Sequence, residues 1–229
     1  KETILIIRYG ALGDTLLLRP MVEYFQQLQP DSIIYLAGHP ERMHLLAGLC
    51  GGDITVLDYD RHLSWLHMDQ QAPGAEITQI IRGAARVMFF TSRPDGPAAK
   101  RLQRWAGQAV KTCVALPKEK NTRHAALFYF EQAGIHYQAK ELARQVESWP
   151  ELGRREERED PLVILSPGAG SRKKRRPVVF WRELVQGLIS RSDARLAVLL
   201  GPAEEDEEFA SLAAPDAGRI VRQSLRGLR

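Results

Sequence analysis

The sequence predicts an α/β protein built of two Rossmann-like domains. Three observations lead there. Short apolar runs alternate with amphipathic stretches along most of the chain. Two of those runs, Ile4 to Ile7 and Leu162 to Leu165, end in glycine-containing turns. A mixed-charge stretch, Arg154 to Asp160, has no apolar face of its own and separates two such series.

Taken in order, the apolar runs predict strands over 3–8, 32–37, 54–57, 86–91 and 110–115. Helices are expected between them over 14–28, 40–48, 75–85, 98–107 and 122–133. Pro40 suits a first helical position and Gly134 a helix terminus. Ile77, Ile80, Ile81 and Ala84 fall at helical spacing. Residues 138–160 break the rhythm. The first domain is therefore placed at 1–150, a linker at 151–160 and a second domain at 161–229. The second domain predicts strands over 162–166, 194–200 and 218–222, with helices over 178–190 and 204–213. Three strands fall short of the roughly 4–6 of an independent open sheet. The second domain is accordingly read as partial, and the chain as a fragment.

Composition narrows the class. The chain of 229 residues is 44% hydrophobic and 26% charged, ordinary for a globular protein and unlike a disordered one. Cys50 and Cys113 have no paired or metal-type spacing, which fits a reducing compartment. No stretch reaches the roughly 18–20 apolar residues of a membrane span. Net charge is +4, which suits anionic partners such as nucleotides, phosphorylated glycans, acidic lipids or nucleic acid.

The first turn, Gly10-Ala11-Leu12-Gly13-Asp14-Thr15, joins a strand to a helix. Glycine suits positive φ or a close ligand approach. The turn lacks the third glycine of the dinucleotide fingerprint, and Asp14 would repel a pyrophosphate. A hydroxyl-bearing ligand is expected there instead. Asp14 has two readings: a helix N-cap worth about 1 kcal/mol, or an ionised carboxylate accepting a proton from a nucleophilic hydroxyl. Arg8 is either a contact to an acidic acceptor or an ordinary salt-bridge partner.

The second turn, Ser166-Pro167-Gly168-Ala169-Gly170-Ser171, runs into the cations Arg172 to Arg176. Backbone N–H groups at Gly168 and Gly170, the Ser171 hydroxyl and the following helix N-terminus make an anion site. A solvated basic loop is the plain alternative. A nucleic-acid module is a further one, weakened because no aromatic lies inside the run. Phe180 and Trp181 are expected to pack into the core.

Ile4-Leu5-Ile6-Ile7-Arg8-Tyr9-Gly10-Ala11-Leu12-Gly13-Asp14 resembles the N-terminal motif of glycosyltransferase family 9, the ADP-heptose:lipopolysaccharide heptosyltransferases and their relatives. Leu18-Arg19-Pro20 and Pro30-Asp31 continue the likeness. Ser166 to Ala169 with Lys174 to Pro177 resembles the family's Gly-rich, Lys-Arg-Trp-Pro segment, and Phe180 to Leu184 and Leu199 to Glu204 follow in order. The resemblance implies a GT-B fold, two Rossmann-like domains with a cleft between them. It implies an inverting, metal-independent sugar transfer from a nucleotide-sugar donor, ADP-heptose, to a lipid-linked lipopolysaccharide-core glycan, without a cofactor. It implies Asp14 as catalytic base, with Gly13 and Thr15 beside it at the substrate. Lys174 is implied at the donor phosphate, with Gly170 and Ser171 as neighbouring donor contacts. A cytoplasmic enzyme peripheral to an acidic inner-membrane leaflet is expected, with no nucleic-acid partner. Arg176 stands where the family has tryptophan, and the family's later Asp-(Ser/Thr)-Gly and His segment has no counterpart here. A non-catalytic nucleotide- or glycan-binding protein on the same fold is the rival.

The remaining candidates are weaker. His39, His44, His62 and His67 form no metal pattern and are read as surface or loop residues. Cys113 reads as core and Cys50 as a helix end. Trp65 lies in a long connection, either as a glycan or lipid contact or as a buried anchor.

Overall fold

The computed structural model describes residues 1–68, 71–117, 123–150, 162–168, 174–200 and 220–224. The chain divides into two compact units, Lys1–Pro150 and Glu151–Arg229. The charged linker, the helix expected over 204–213, and residues 169–173 lie outside the described residues.

The first unit is a parallel five-stranded sheet in the order β3-β2-β1-β4-β5, formed by β1 (Thr3–Arg8), β2 (Ile33–Gly38), β3 (Ile54–Asp58), β4 (Ala84–Thr91) and β5 (Val110–Val114). Successive strand side chains point to opposite faces. Ile4, Ile6, Ile34, Leu36, Met88 and Phe90 therefore share one buried cluster, and Leu5, Ile7, Ala37, Leu57, Val87 and Phe89 the other. Both faces are covered, as parallel sheets require. On the first face lie α2 (Arg19–Leu28), α3 (Pro40–Cys50) and α7 (Ala125–Gln132), through Phe25, Met43, Leu46 and Tyr129. On the second lie α4 (Tyr59–His62), the 3-10 turn Ser64–His67, α5 (Ala75–Gly83) and α6 (Pro97–Ala106).

The helix expected over 14–28 is two helices, α1 (Leu12–Leu16) and α2. Pro20 is the cause. It has no N–H to bond back into the preceding turn, so a new helix starts with Pro20 in its first turn. Pro40 opens α3 and Gly134, at φ 74°, follows α7, as their sequence positions suggested.

The loss of rhythm from residue 138 is corrected in part. A further helix, α8 (Ala139–Glu147), forms there, held by a capping box between Gln138 and Glu141. Its buried side chains are Leu142 and Gln145. The Gln145 amide donates to Pro20 O at 3.0 Å and to Glu23 Oε2 at 2.9 Å. Trp149 Nε1 donates to the same Glu23 oxygen at 2.7 Å, and its ring carries the Arg19 guanidinium at 3.9 Å. This polar clasp anchors the last residues of the first unit on α2.

The second unit has β6 (Leu162–Leu165), β7 (Arg195–Leu200) and β8 (Ile220–Ser224), parallel in the order β6-β7-β8, with α9 (Val178–Arg191) as the crossover between the first two. Leu165, Val185, Ala194, Leu196 and Val198 form its described core, with Trp181 packed against it. Phe180 does not join that core. It is 43% exposed, and its ring faces Arg176 at 5.9 Å.

Candidate functional site

In the first unit the strand order reverses between β1 and β4. At such a switch point the crevice beyond the carboxyl ends of the strands is where open α/β sheets bind ligands. The turn after β1 opens there. Arg8 is the last residue of β1 and is paired in register with Phe90 of β4.

Asp14 sits in the first turn of α1. The N-cap reading is not realised, since the cap is Ala11 and makes no side-chain bond. Asp14 instead pairs with Arg8, Nη2 to Oδ2 at 3.2 Å. The Arg8 side chain is 6% exposed and that of Asp14 31%. A buried guanidinium thus holds one carboxylate oxygen, while the carboxylate as a whole stays open to solvent. Tyr129, from α7, packs behind. The Arg8 guanidinium lies 5.9 Å from its ring centre. Burial pushes the Tyr129 hydroxyl up, and the neighbouring Arg8 charge pulls the other way. Of the two readings of Arg8, the salt bridge is the one formed.

Neither Gly10 nor Gly13 has positive φ; the described positive-φ glycines are Gly51, Gly52, Gly107 and Gly134. A Cβ on Gly13 would meet nothing within 4 Å. Gly13 is not demanded by chain geometry, and it leaves the helix surface beside Asp14 bare. The glycine that packing does require is Gly38, at the end of β2. A Cβ there would lie 2.5 Å from the Arg8 carbonyl oxygen. Sequence reasoning passed over that residue. Thr15 is buried, and its hydroxyl donates to Ala11 O at 3.2 Å. That hydrogen bond is made within the turn and α1.

The turn is braced from the neighbouring strand ends. Arg42 of α3 donates to the Gly10 carbonyl. Asp58 caps α4, accepting from the backbone N–H of Asp60 at 2.9 Å and of Arg61 at 3.4 Å. A cavity of about 510 Å³ opens at the carboxyl end of β4, with His67, Thr91, Ser92, Arg93, Gly96 and Arg101 in its wall. Apart from His67, which was read as a surface or loop residue, these residues escaped the sequence reading. An aspartate ending a strand was the available signal for the α4 cap.

Lys174 is exposed and lies just before α9, with Arg175 half-buried and Arg176 exposed beside it. Gly170 and Ser171 lie outside the described residues. Lys174 therefore stands in the second unit, and Asp14, Gly13 and Thr15 in the first.

The other candidates resolve simply. Trp65 is buried, donating to His62 O at 3.1 Å and packed edge-on against Trp105, so it is an anchor. Cys50 ends α3 and Cys113 is buried in β5; burial pushes both thiols up to about 12, which leaves them protonated and unreactive. Among the described residues no group of three or more His, Cys, Asp or Glu is gathered as for a metal ion. No described helix is long and apolar enough to cross a membrane.

No protein-family model and no curated protein matches the chain. Solved structures do. A glycosyltransferase of family 9 from Veillonella parvula matches with a TM-score of 0.61 at 16% identity, over 97% of this chain and 69% of that one. The Escherichia coli heptosyltransferase WaaC, solved with ADP-2-deoxy-2-fluoro heptose, matches with a TM-score of 0.60 at 18% identity, over 98% and 78%. The E. coli ADP-heptose lipopolysaccharide heptosyltransferase II matches with a TM-score of 0.59 at 15% identity, over 97% and 72%. The chain therefore has the two-unit α/β fold of GT-B type, and it is similar in fold to family 9 glycosyltransferases.

Proposed function

We propose that the chain is a glycosyltransferase of the heptosyltransferase type, moving a sugar from a nucleotide-sugar donor to a glycan acceptor. The observation that carries this is Asp14 at the β1–β4 switch point, held on one side by buried Arg8 and open on the other. Fold likeness to heptosyltransferases supports the substrate class, since one of them was solved with an ADP-heptose analogue; fold alone does not carry a reaction.

In the proposed reaction an acceptor hydroxyl attacks the anomeric carbon as its bond to the phosphate oxygen breaks. Asp14 takes the hydroxyl proton, and the electron pair of the broken bond leaves on the nucleotide phosphate. Attack from the face opposite the leaving group inverts the anomeric centre. Lys174, with Gly170 and Ser171, stabilises the charge growing on the phosphate. A lysine in that role calls on no metal and no cofactor. Arg8 orients the carboxylate from behind. ADP-heptose as donor and a lipid-linked lipopolysaccharide-core glycan as acceptor are the proposed substrates. A net charge of +4 suits work beside an acidic membrane leaflet on the cytoplasmic side.

One observation favours the rival, a non-catalytic nucleotide- or glycan-binding protein. One oxygen of the Asp14 carboxylate is already taken by the Arg8 guanidinium. Asp14→Asn separates the two. It keeps the size of the side chain beside Arg8 but removes the base. Nucleotide release from ADP-heptose in the presence of a deacylated core glycan should fall by about 10²–10⁴-fold, with the melting temperature followed as a fold control. A variant transferring at near wild-type rate removes Asp14 as the base. Donor and glycan binding by the wild-type chain without any release establishes the binder.

A further inference from the structure

Arg8 points into the protein, and the next residue, Tyr9, points out. Its side chain is 48% exposed at the carboxyl end of the switch-point strand, in the same turn as Asp14. An exposed tyrosine is by itself unremarkable. This one is held from two directions by residues about fifty positions later in the chain. Its hydroxyl donates to Asp60 Oδ2 at 3.2 Å. Its ring lies 4.9 Å from the Tyr59 ring, tilted by 45°.

The supports are themselves fixed. Tyr59 is buried and hydrogen-bonded through its hydroxyl to His67 Nε2 at 2.8 Å. Asp60 follows the Asp58 cap. The Asp60 charge, first among the causes, pushes the Tyr9 hydroxyl above its ordinary value, so it remains a donor. The Gly10 carbonyl, one residue on, is held by Arg42. The result is an aromatic face presented to solvent with a carboxylate at its edge.

A pyranose has complementary chemistry. Its axial C–H groups form an apolar, weakly positive face, and its rim carries hydroxyl donors. An aromatic face is negative and apolar, C–H contacts to such groups add modestly, and an ionised carboxylate only accepts. We propose that Tyr9 and Asp60 form the platform on which the acceptor sugar rests, with its ring on the Tyr9 face, its hydroxyls bonded to Asp60, and the attacking hydroxyl directed along the turn to Asp14. This rests on the glycosyl-transfer reading for its acceptor, but glycan binding can be read without transfer.

The test uses the wild-type chain, Tyr9→Ala and Tyr9→Phe, with a deacylated core oligosaccharide as probe. Steady-state kinetics are taken with each substrate varied, and glycan binding is followed separately by saturation-transfer NMR. Tyr9→Ala should raise the acceptor KM about tenfold, close to 1.4 kcal/mol of lost contact, while leaving the donor KM unchanged. Tyr9→Phe, which keeps the face and loses only the bond to Asp60, should stay within about threefold of wild type. An acceptor KM unchanged in Tyr9→Ala, or a donor KM that rises equally, overturns the platform and leaves the transfer reading standing. Glycan binding that depends on Tyr9 in a chain that transfers nothing supports the platform and removes the transferase. No glycan binding to the wild-type chain overturns the platform.

Discussion

The turn after β1 and the turn after β6 come from the same sequence device, an apolar run ending in glycines before a helix, yet their surroundings differ. The first rises from a sheet sealed on both faces and is tied down by Arg8, Arg42 and Tyr129. The second rises from a strand whose Leu162 and Ile164 are 49% and 57% exposed, beside a small described core of Leu165, Val185, Ala194, Leu196 and Val198. Lys174 stands exposed at its end. The contrast matches the two proposed tasks. A base must meet one proton at one place, so its carboxylate needs a rigid seat. A phosphate contact needs a charge within reach, and a lysine on its four-carbon stem supplies that without a tight core.

The largest expected effect lies in the sealed core. Phe90 is 1% exposed and sits level with Arg8 across the sheet. Phe90→Ala should destabilise the first unit by about 3–5 kcal/mol. Leu196→Ala, in the small second core, should cost only about 2–3 kcal/mol, near the low end of such changes. Hydrogen exchange resolved by peptide reads each unit separately. Equal losses would break the comparison.

A smaller effect tests the clasp on α2. Trp149→Phe removes one of three donors to the Glu23 carboxylate, the others being Arg19 and Gln145. The first unit should lose about 1–3 kcal/mol in urea unfolding. No loss would mean that the end of the first unit is held by α8 packing alone.

The smallest effect belongs to the second turn. Lys174→Ala should weaken nucleotide-sugar binding about tenfold, near 1.4 kcal/mol, with an unchanged melting temperature because the side chain is exposed. An unchanged donor affinity would remove Lys174 from the site. A fall in melting temperature would show that the second turn is structurally tied, as the first is.

Much of the fold was legible. The runs at Ile4 to Ile7 and Leu162 to Leu165 are short, apolar and followed by glycine, and both are strands. The misses have different causes. Pro20 was read as part of a continuing helix, although its missing N–H is a local and visible signal. In α8 the apolar residues Ala139, Leu142, Ala143 and Val146 recur at helical spacing, a local signal that was passed over. What the spacing does not record is that Gln145 is buried while Val146 is exposed, because the partners of Gln145, Pro20 and Glu23, lie more than 120 positions away. Phe180 was placed in the core because it is apolar, but neighbouring helical positions face different ways, and only Trp181 turns inward.

The site divides the same way. From the sequence alone come the turn after β1, the position of Asp14 within it, the departure of its spacing from the dinucleotide fingerprint and the basic run ending at Arg176. These depend on residue type and spacing within about a dozen positions, which local sterics and hydrogen bonding translate directly into conformation. The tertiary structure alone decided that Asp14 is no cap, that Arg8 is its buried partner, that Thr15 turns inward, that Gly38 must lack a side chain and that Tyr9 rests on Tyr59 and Asp60. Each of those depends on the register between parallel strands and on which helix covers which face. Such pairings join residues far apart in the chain, and no local period records them.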